Sequence, residues 1–510
     1  MRINQMSMMF KNCFFLGGLI ITSTLMSLPA SAEDVNKDRG MFSQFLGVNQ
    51  QGKARGEDLA RYLTFDRLDF AWRAIEGEPG KWNEKQLDDW GRMVLEHQNR
   101  GVELLPVLCY STGWAARKKA WSFTVAGKKY DVQAWEPGQK IDERKAIVTD
   151  ISTGKTGTEV LKAGQIPPEN IGDWEAYVEK VVGFLSNPPY NVRYFQIWNE
   201  ANDLGLTGFW YGSMDDYMQT IHLPAAKIIR QHGAKVVYGG YPCNGKMKHY
   251  LQILDQNKAW DTLDVLDIHY YPLSSWQFLY DRIARDKRDV AIWQTELGAD
   301  PNPAFVPNNY PRFFHWALSH GWAKDRYRIF HFAYWSPDDP KAYGYNWSFY
   351  TGDKPSHHGK ALLTLGKLLD GPEVKPYVEW ETTPSLKTEI DKTKSSVEGF
   401  DCGDRIVLAV HLADQNSAAM LVDRDGDRNE LSKDSIDTRM EVILPRLEPA
   451  DIKGAWRIGI YGSEEALEIS PAAPEGIKIS PSLSARDPVE RKDNREGRMH
   501  TFYLLLQKTK

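Results

Sequence analysis

The chain has 510 residues, more than one hydrophobic core holds, since single cores rarely grow past roughly 250–300 residues, so a large domain and a smaller one are expected. Its 63 basic and 68 acidic residues leave no basic field to grip a polyanion, which excludes nucleic acid as a partner. At 42% apolar and 26% charged residues the composition is that of an ordinary globular protein.

The amino terminus carries Arg2 and Lys11, an apolar run from Phe14 to Met26, and the small residues Ala30-Ser31-Ala32 before Glu33. This is the pattern of a signal peptide over 1–32, cleaved near Ala32, and it predicts export to the periplasm or beyond. The apolar run falls short of the roughly 20 residues needed to span a bilayer, so no stable membrane insertion is expected. Cys13 lies in that leader and is not preceded by the small residues of a lipoprotein signal. The other cysteines, Cys109, Cys243 and Cys402, are odd in number and lack metal-ligand spacing, which excludes a disulfide scaffold.

From 41 to 375 apolar runs alternate with segments of helical period. Eight strands are expected, at Phe45–Val48, Phe65–Trp72, Val102–Cys109, Val192–Trp198, Lys235–Gly239, Val265–Tyr270, Val290–Thr295 and Ile329–Trp335. That count, with helices between, predicts an α/β fold of the (β/α)8 TIM-barrel type. No Gly-rich phosphate fingerprint follows the first strand, which speaks against an open doubly wound sheet. Tyr217, Ile221, Ala225, Ile228 and Ile229 recur at helical spacing between the fourth and fifth strands. The connection from about 111 to 170, with Trp114, Trp121 and Trp135, is too long for a simple link and is expected to wall one side of a cleft. After Gly371-Pro372 the texture changes to short strands, at 406–410, 418–422, 442–444, 456–460 and 502–506, which predict an all-β sandwich over 377–510.

Two of the barrel strands end alike. Ile197-Trp198-Asn199-Glu200 and Ile292-Trp293-Gln294-Thr295-Glu296 each deliver a glutamate where a buried strand meets its carboxy-terminal loop, so both open into one cleft if the barrel closes. Splitting a glycosidic bond needs one carboxyl to protonate the leaving oxygen and another to attack or stabilise the sugar carbon, and this pair supplies both. Asn199 can reach a sugar hydroxyl beside Glu200. The chain is also rich in aromatics, with 18 Trp and 23 Tyr, which suits stacking on sugar faces as well as a large core. His269 and Tyr271 share a strand face by period two, so Tyr271 is expected to hydrogen-bond Glu296 while His269 orients a sugar hydroxyl or simply fills the core. Arg67 and Asp69 share a face of the second strand and could pair with each other or with a glutamate.

With Asn199-Glu200 ending strand four, Glu296 ending strand seven and His269-Tyr270-Tyr271-Pro272 ending strand six, the chain resembles the clan of retaining glycoside hydrolases with two barrel glutamates. Within it the chain is most similar to family 39, the β-xylosidase and α-L-iduronidase family, through Leu105-Pro106-Val107-Leu108, Trp114-Ala115, Ile166-Pro167-Pro168 and Trp174-Glu175-Ala176-Tyr177-Val178. Asn-Glu-Ala at 199–201 stands where the family has Asn-Glu-Pro. The resemblance implies Glu200 as acid/base, Glu296 as nucleophile, Arg67 beneath the nucleophile, and Trp335 as an aromatic platform. Trp114, Trp210 and Trp276 offer further stacking positions of lower rank, since loop tryptophans often only seal a lid. It implies a carbohydrate substrate, no cofactor and no metal. The sequence leaves open a barrel that binds sugar without cleaving it, and a metal-dependent barrel hydrolase, against which the absence of a His-x-His strand end speaks. Gly154-Lys155-Thr156 lacks the glycines of a phosphate loop, Asp423–Asp427 has its glycine too early for a calcium loop, and His357-His358 lacks a third zinc ligand.

Overall fold

The computed structural model describes residues 39–50, 57–203, 209–243, 246–298, 303, 305–323, 325–338, 344, 347–384, 396–411, 440–472, 475–481, 487–490, 496–499 and 501–509. The expected leader over 1–32 and the expected strand over 418–422 lie outside them. Among the described residues no helix is long and apolar enough to cross a membrane.

Eight parallel strands close into a barrel: β1 Leu46–Asn49, β2 Phe65–Ala71, β3 Glu103–Cys109, β4 Tyr194–Ile197, β5 Lys235–Val237, β6 Val265–His269, β7 Ala291–Leu297 and β8 Tyr327–His331. Neighbours pair in the order β5-β4-β3-β2-β1-β8-β7-β6, and Val237 facing Val265 joins the ends. After each strand comes a helix: α1 Glu57–Ala60, α2 Glu84–Gln98, α3 Ile171–Leu185, α4 Leu223–Gln231, α5 Met247–Gln256, α6 Leu273–Arg285, α7 Phe305–Ser319 and α8 His357–Leu369. Side-chain caps start several of them, with Asn83 accepting from the Gln86 amide, Asn170 from that of Gly172 and Ser356 from that of Gly359. Pro224 lacks the amide a continuous helix needs, and the preceding turn, Met218–His222, widens to a π-helix.

Because side chains alternate along a strand, every second residue points to the barrel axis, and those residues form layers. The lowest is apolar: Phe65, Leu105, Tyr194, Val237, Val265, Ala291, Trp293 and Phe330. Two residues further along β2, β4, β6 and β7 stand Arg67, Gln196, Asp267 and Thr295, all buried. Polar groups in that middle layer need partners, and they find them in one another and in the layer above.

The long connection after β3 is not an open loop. Strands Trp121–Val125, Lys128–Val132, Glu143–Asp150 and Thr156–Lys162 make a four-stranded antiparallel sheet with its own core, including Phe123 stacked on Tyr130 at 4.8 Å. It is held to the segment after β4 by the Tyr211 amide on the Gln165 carbonyl (2.8 Å) and by Arg117 on Asp216 (3.2 Å). The expectation of a cleft wall thus becomes a small sheet set beside the loop that follows Glu200.

Beyond α8 two antiparallel sheets form the sandwich. The six-stranded sheet runs in the order Lys375–Tyr377, Ser396–Asp401, Arg405–His411, Thr501–Lys508, Ile452–Gly459, Glu464–Leu467. The four-stranded one runs Glu381–Pro384, Met440–Pro445, Gly476–Ile479, Ser470–Pro471. Ile406, Leu408, Val442, Leu444, Ile477 and Leu504 fill the space between them. The larger sheet also packs on the barrel: Phe400 stacks on Phe314 of α7 at 5.8 Å, and Thr501 bonds Asn308 at 2.5 Å.

Candidate active site

At the carboxy-terminal mouth of the barrel the alternation of the strands breaks. β6 and β7 change register between Asp267 and His269, so that His269 faces Glu296, and β7 changes register against β8 between Gln294 and Leu297. Bulges of this kind re-aim side chains. Thr295 and Glu296, which strict alternation would send to opposite faces, are both engaged inside the barrel. Three residues at the strand ends also adopt left-handed backbone, Trp198 (φ 65°), Glu200 (φ 47°) and Tyr270 (φ 58°). Each costs about 1–3 kcal/mol, and such strain collects at functional sites.

Arg67 organises the floor. Its guanidinium donates to Glu296 (2.8 Å), Asn199 (2.6 Å) and Asn49 (2.9 Å), and its Nε to Gln196 (2.7 Å). Asn199 in turn hydrogen-bonds Tyr110, so its amide is engaged by the protein at both ends. Glu296 receives a second bond on its other oxygen, from the Tyr270 hydroxyl at 2.7 Å. Burial would push the Glu296 carboxyl up, but His269 and Arg67, with the bonds from Tyr270 and Arg67, outweigh it and hold the group below its usual range.

Glu200 stands in a different setting. Its backbone amide donates to the Gly239 carbonyl at 2.6 Å, and its Oε1 lies 2.9 Å from His269 Nδ1. His269 Nε2 meets Thr295 Oγ1 at 3.0 Å, and Thr295 donates its hydroxyl to Asp267 at 2.6 Å and its amide to the same carboxylate at 2.9 Å. Since the threonine proton is already given to Asp267, Nε2 must be the donor. Burial lowers the His269 pKa, yet Glu296 and Asp267, with bonds to Asp267 and Glu200, raise it to about 10, so the ring is an imidazolium near neutrality. Gly240 (φ 66°) leaves room for that ring: a Cβ there would lie 2.1 Å from His269 Nε2. One oxygen of Glu200, one of Glu296 and a ring nitrogen of His269 all lie within 4.8 Å of one another.

Such a trio has the spacing of a metal site, but the donor set does not suit one. Both His269 nitrogens are committed, and Arg67 places a fixed positive charge 2.8 Å from Glu296.

The structure brings together Glu200, Glu296, Asn199, Arg67 and His269, and corrects other expectations. Tyr271 does not bond Glu296; its hydroxyl donates to the Pro242 carbonyl at 3.0 Å and its amide to Gln294 at 2.7 Å. The left-handed backbone at Tyr270 breaks the period of two and turns that tyrosine, not Tyr271, to Glu296. His269 is wholly buried and orients Glu200, not a sugar hydroxyl. Arg67 pairs with Glu296 and not with Asp69. Trp114 donates its indole N–H to the Glu76 carbonyl (2.9 Å) and packs edge-on against Trp72. Trp335 follows β8 at the rim, half-buried, its indole bonded to the Gly352 carbonyl at 2.7 Å. Trp210 and Trp276 are buried core side chains and cannot serve as platforms. Asn49, Gln196, Tyr110 and Asp267 were not singled out from the sequence, and Tyr270 and Thr295 stood in its motifs without a role. The signal for several of them was available, as polar residues at inward positions of otherwise apolar strands.

Barrel, mouth and sandwich together define a (β/α)8 protein with a paired-carboxylate centre. The chain matches no known family profile and no curated protein sequence. Among solved structures, a family 39 glycoside hydrolase from the gut symbiont Bacteroides cellulosilyticus WH2 superposes with a TM-score of 0.52 at 14% identity, over 93% of this chain and 82% of that one. A GH30 endoxylanase from Clostridium papyrosolvens C71 superposes more loosely (TM-score 0.47, 10% identity, 92% and 98% coverage), as does endo-glycoceramidase II from Rhodococcus sp. (0.39, 14%, 93% and 99%). At such identities the likeness to the Bacteroides protein is one of fold, and that fold agrees with the resemblance drawn from the strand-end motifs.

Proposed function

We propose that the protein is a retaining O-glycoside hydrolase, acting on a β-linked poly- or oligosaccharide by double displacement. The observation that carries this reading is the pair Glu200 and Glu296, with oxygens within 4.8 Å at the barrel mouth and opposite surroundings. That spacing goes with the carboxyl separation of about 5–5.5 Å used in double displacement and not with the roughly 6.5–9.5 Å that admits a water between the groups.

Glu296, kept anionic by Arg67, His269 and Tyr270, attacks the anomeric carbon while Glu200 protonates the departing oxygen. The carbon–oxygen bond to the leaving group breaks as the glycosyl ester forms. Water then attacks the same carbon, Glu200 takes its proton, and the ester bond breaks to return Glu296 as a carboxylate. Turnover of a panel of aryl glycosides tests the reading. Glu200→Gln and Glu296→Gln are each expected to lose about 10²–10⁴-fold in kcat/KM, and a 2-fluoroglycoside is expected to leave a sugar on Glu296 detectable by mass spectrometry. Full activity in both variants would refute the assignment, and sugar binding without turnover in the unmodified protein would make it a binding barrel.

A further inference from the structure

Along β2 the inward series is Phe65, Arg67, Asp69. The first two are buried at 0% and 5%, whereas Asp69 is solvent-exposed although its neighbour Phe70, the facing Val107 and, two residues on, Cys109 are fully buried. A residue on a strand walled in on all sides reaches solvent only through the barrel mouth, so the Asp69 carboxylate borders the catalytic cleft, one layer above Arg67. Its charge is felt by Arg67, and Glu296 acts on it in turn. Arg67 commits its donors to Glu296, Asn199, Asn49 and Gln196. Among the described residues the donor to Asp69 is the Cys109 thiol, a weak one. A carboxylate with roughly four acceptor positions therefore turns most of them to the open cleft.

We propose that Asp69 is a specificity residue that accepts hydrogen bonds from the hydroxyls of a neutral sugar and excludes a sugar bearing a ring carboxylate. The assignment rests on the glycosidase reading and narrows its substrate class. Partial desolvation in the mouth and Glu296 push the Asp69 carboxyl above its usual range against the pull of Arg67, so a further anion beside it would meet repulsion, and among the described residues Arg67 and His269 give their donors to other partners. Hydroxyl donors satisfy it at no cost in charge.

Matched aryl glycosides, neutral and uronic, test this on the full chain. The unmodified protein is expected to favour the neutral sugar in kcat/KM by about a hundredfold or more, and Asp69→Asn to lose about ten- to a hundredfold on it while narrowing the preference, with an unchanged Tm. Equal turnover of both sugars by the unmodified protein would overturn the proposal whatever the variant does. So would an Asp69→Asn protein within twofold of it on both. Glu296→Gln separates the two levels: if it is inactive while Asp69→Asn behaves as unmodified, only the role of Asp69 falls, and if Glu296→Gln keeps full turnover, the glycosidase reading falls with it.

Discussion

Arg67 shows how one side chain sets the state of its neighbours. Buried among Asn49, Gln196, Asn199 and Glu296, it satisfies three side-chain carbonyl oxygens and one carboxylate at once. It also supplies, with His269, the charge that keeps Glu296 below its usual pKa despite burial. Replacing Arg67 by Met is expected to raise the Glu296 pKa and so to move the acid limb of the kcat/KM profile upward by about one to three pH units, the range an adjacent opposite charge commands. The same change strands a buried carboxylate and should cost about 3–5 kcal/mol of stability. An acid limb that stays in place, in a variant that is folded by its Tm, would show that Arg67 does not set the charge of Glu296. Glu200, Glu296 and Arg67 were legible from the sequence because charged residues at the ends or inward positions of apolar strands have few reasons to be there. The partners of His269 were not, since Thr295 and Asp267 become a relay only when three strands are side by side.

At the scale of elements, the strand ends decide which side chain goes where. Period two along β6 places Tyr271 with His269, and a regular strand would have done so. The strand instead ends at His269, Tyr270 takes φ 58°, and its hydroxyl reaches Glu296 while Tyr271 ties β6 to the β5 side through Pro242. Tyr270→Phe is therefore expected to lower kcat/KM by about tenfold and to raise the acid limb, since a hydrogen bond to a charged group is worth about 1.5–3 kcal/mol. Tyr271→Phe should leave kcat/KM near that of the unmodified protein and show itself only in Tm. The reverse result would restore the regular-strand picture. A left-handed residue at a strand end is not announced by tyrosine, which is why local pattern misassigned the pair.

The molecule as a whole joins barrel and sandwich through a mixed interface. Phe314, Phe400, Val407 and Tyr503 continue the barrel's outer core into the larger sheet. Beside them Glu398 is half-buried near Arg312 of α7 and Ser396, and desolvation, which outweighs both, raises its pKa from 4.5 to about 7. A carboxyl whose pKa is raised on folding favours the native state most fully below pH 4.5, and that contribution is lost as pH rises to about 7. Glu398→Gln is expected to remove this dependence, so the Tm of the variant should gain on that of the unmodified protein between pH 5 and 8 by scanning calorimetry. A constant Tm difference would place the burden elsewhere. By itself the sequence determined the eight strands, the sandwich texture after residue 371 and the two strand-end glutamates, because these follow from local periodicity and from charge placed where apolar strands stop. Only the tertiary structure decided that the inserted segment is a sheet, that Tyr270 and not Tyr271 bonds Glu296, that His269 bonds Glu200, and that Asp69 is exposed on an otherwise enclosed strand. Those facts depend on register, on left-handed backbone and on which strands become neighbours when the barrel closes, and none of these is a property of a local stretch of chain.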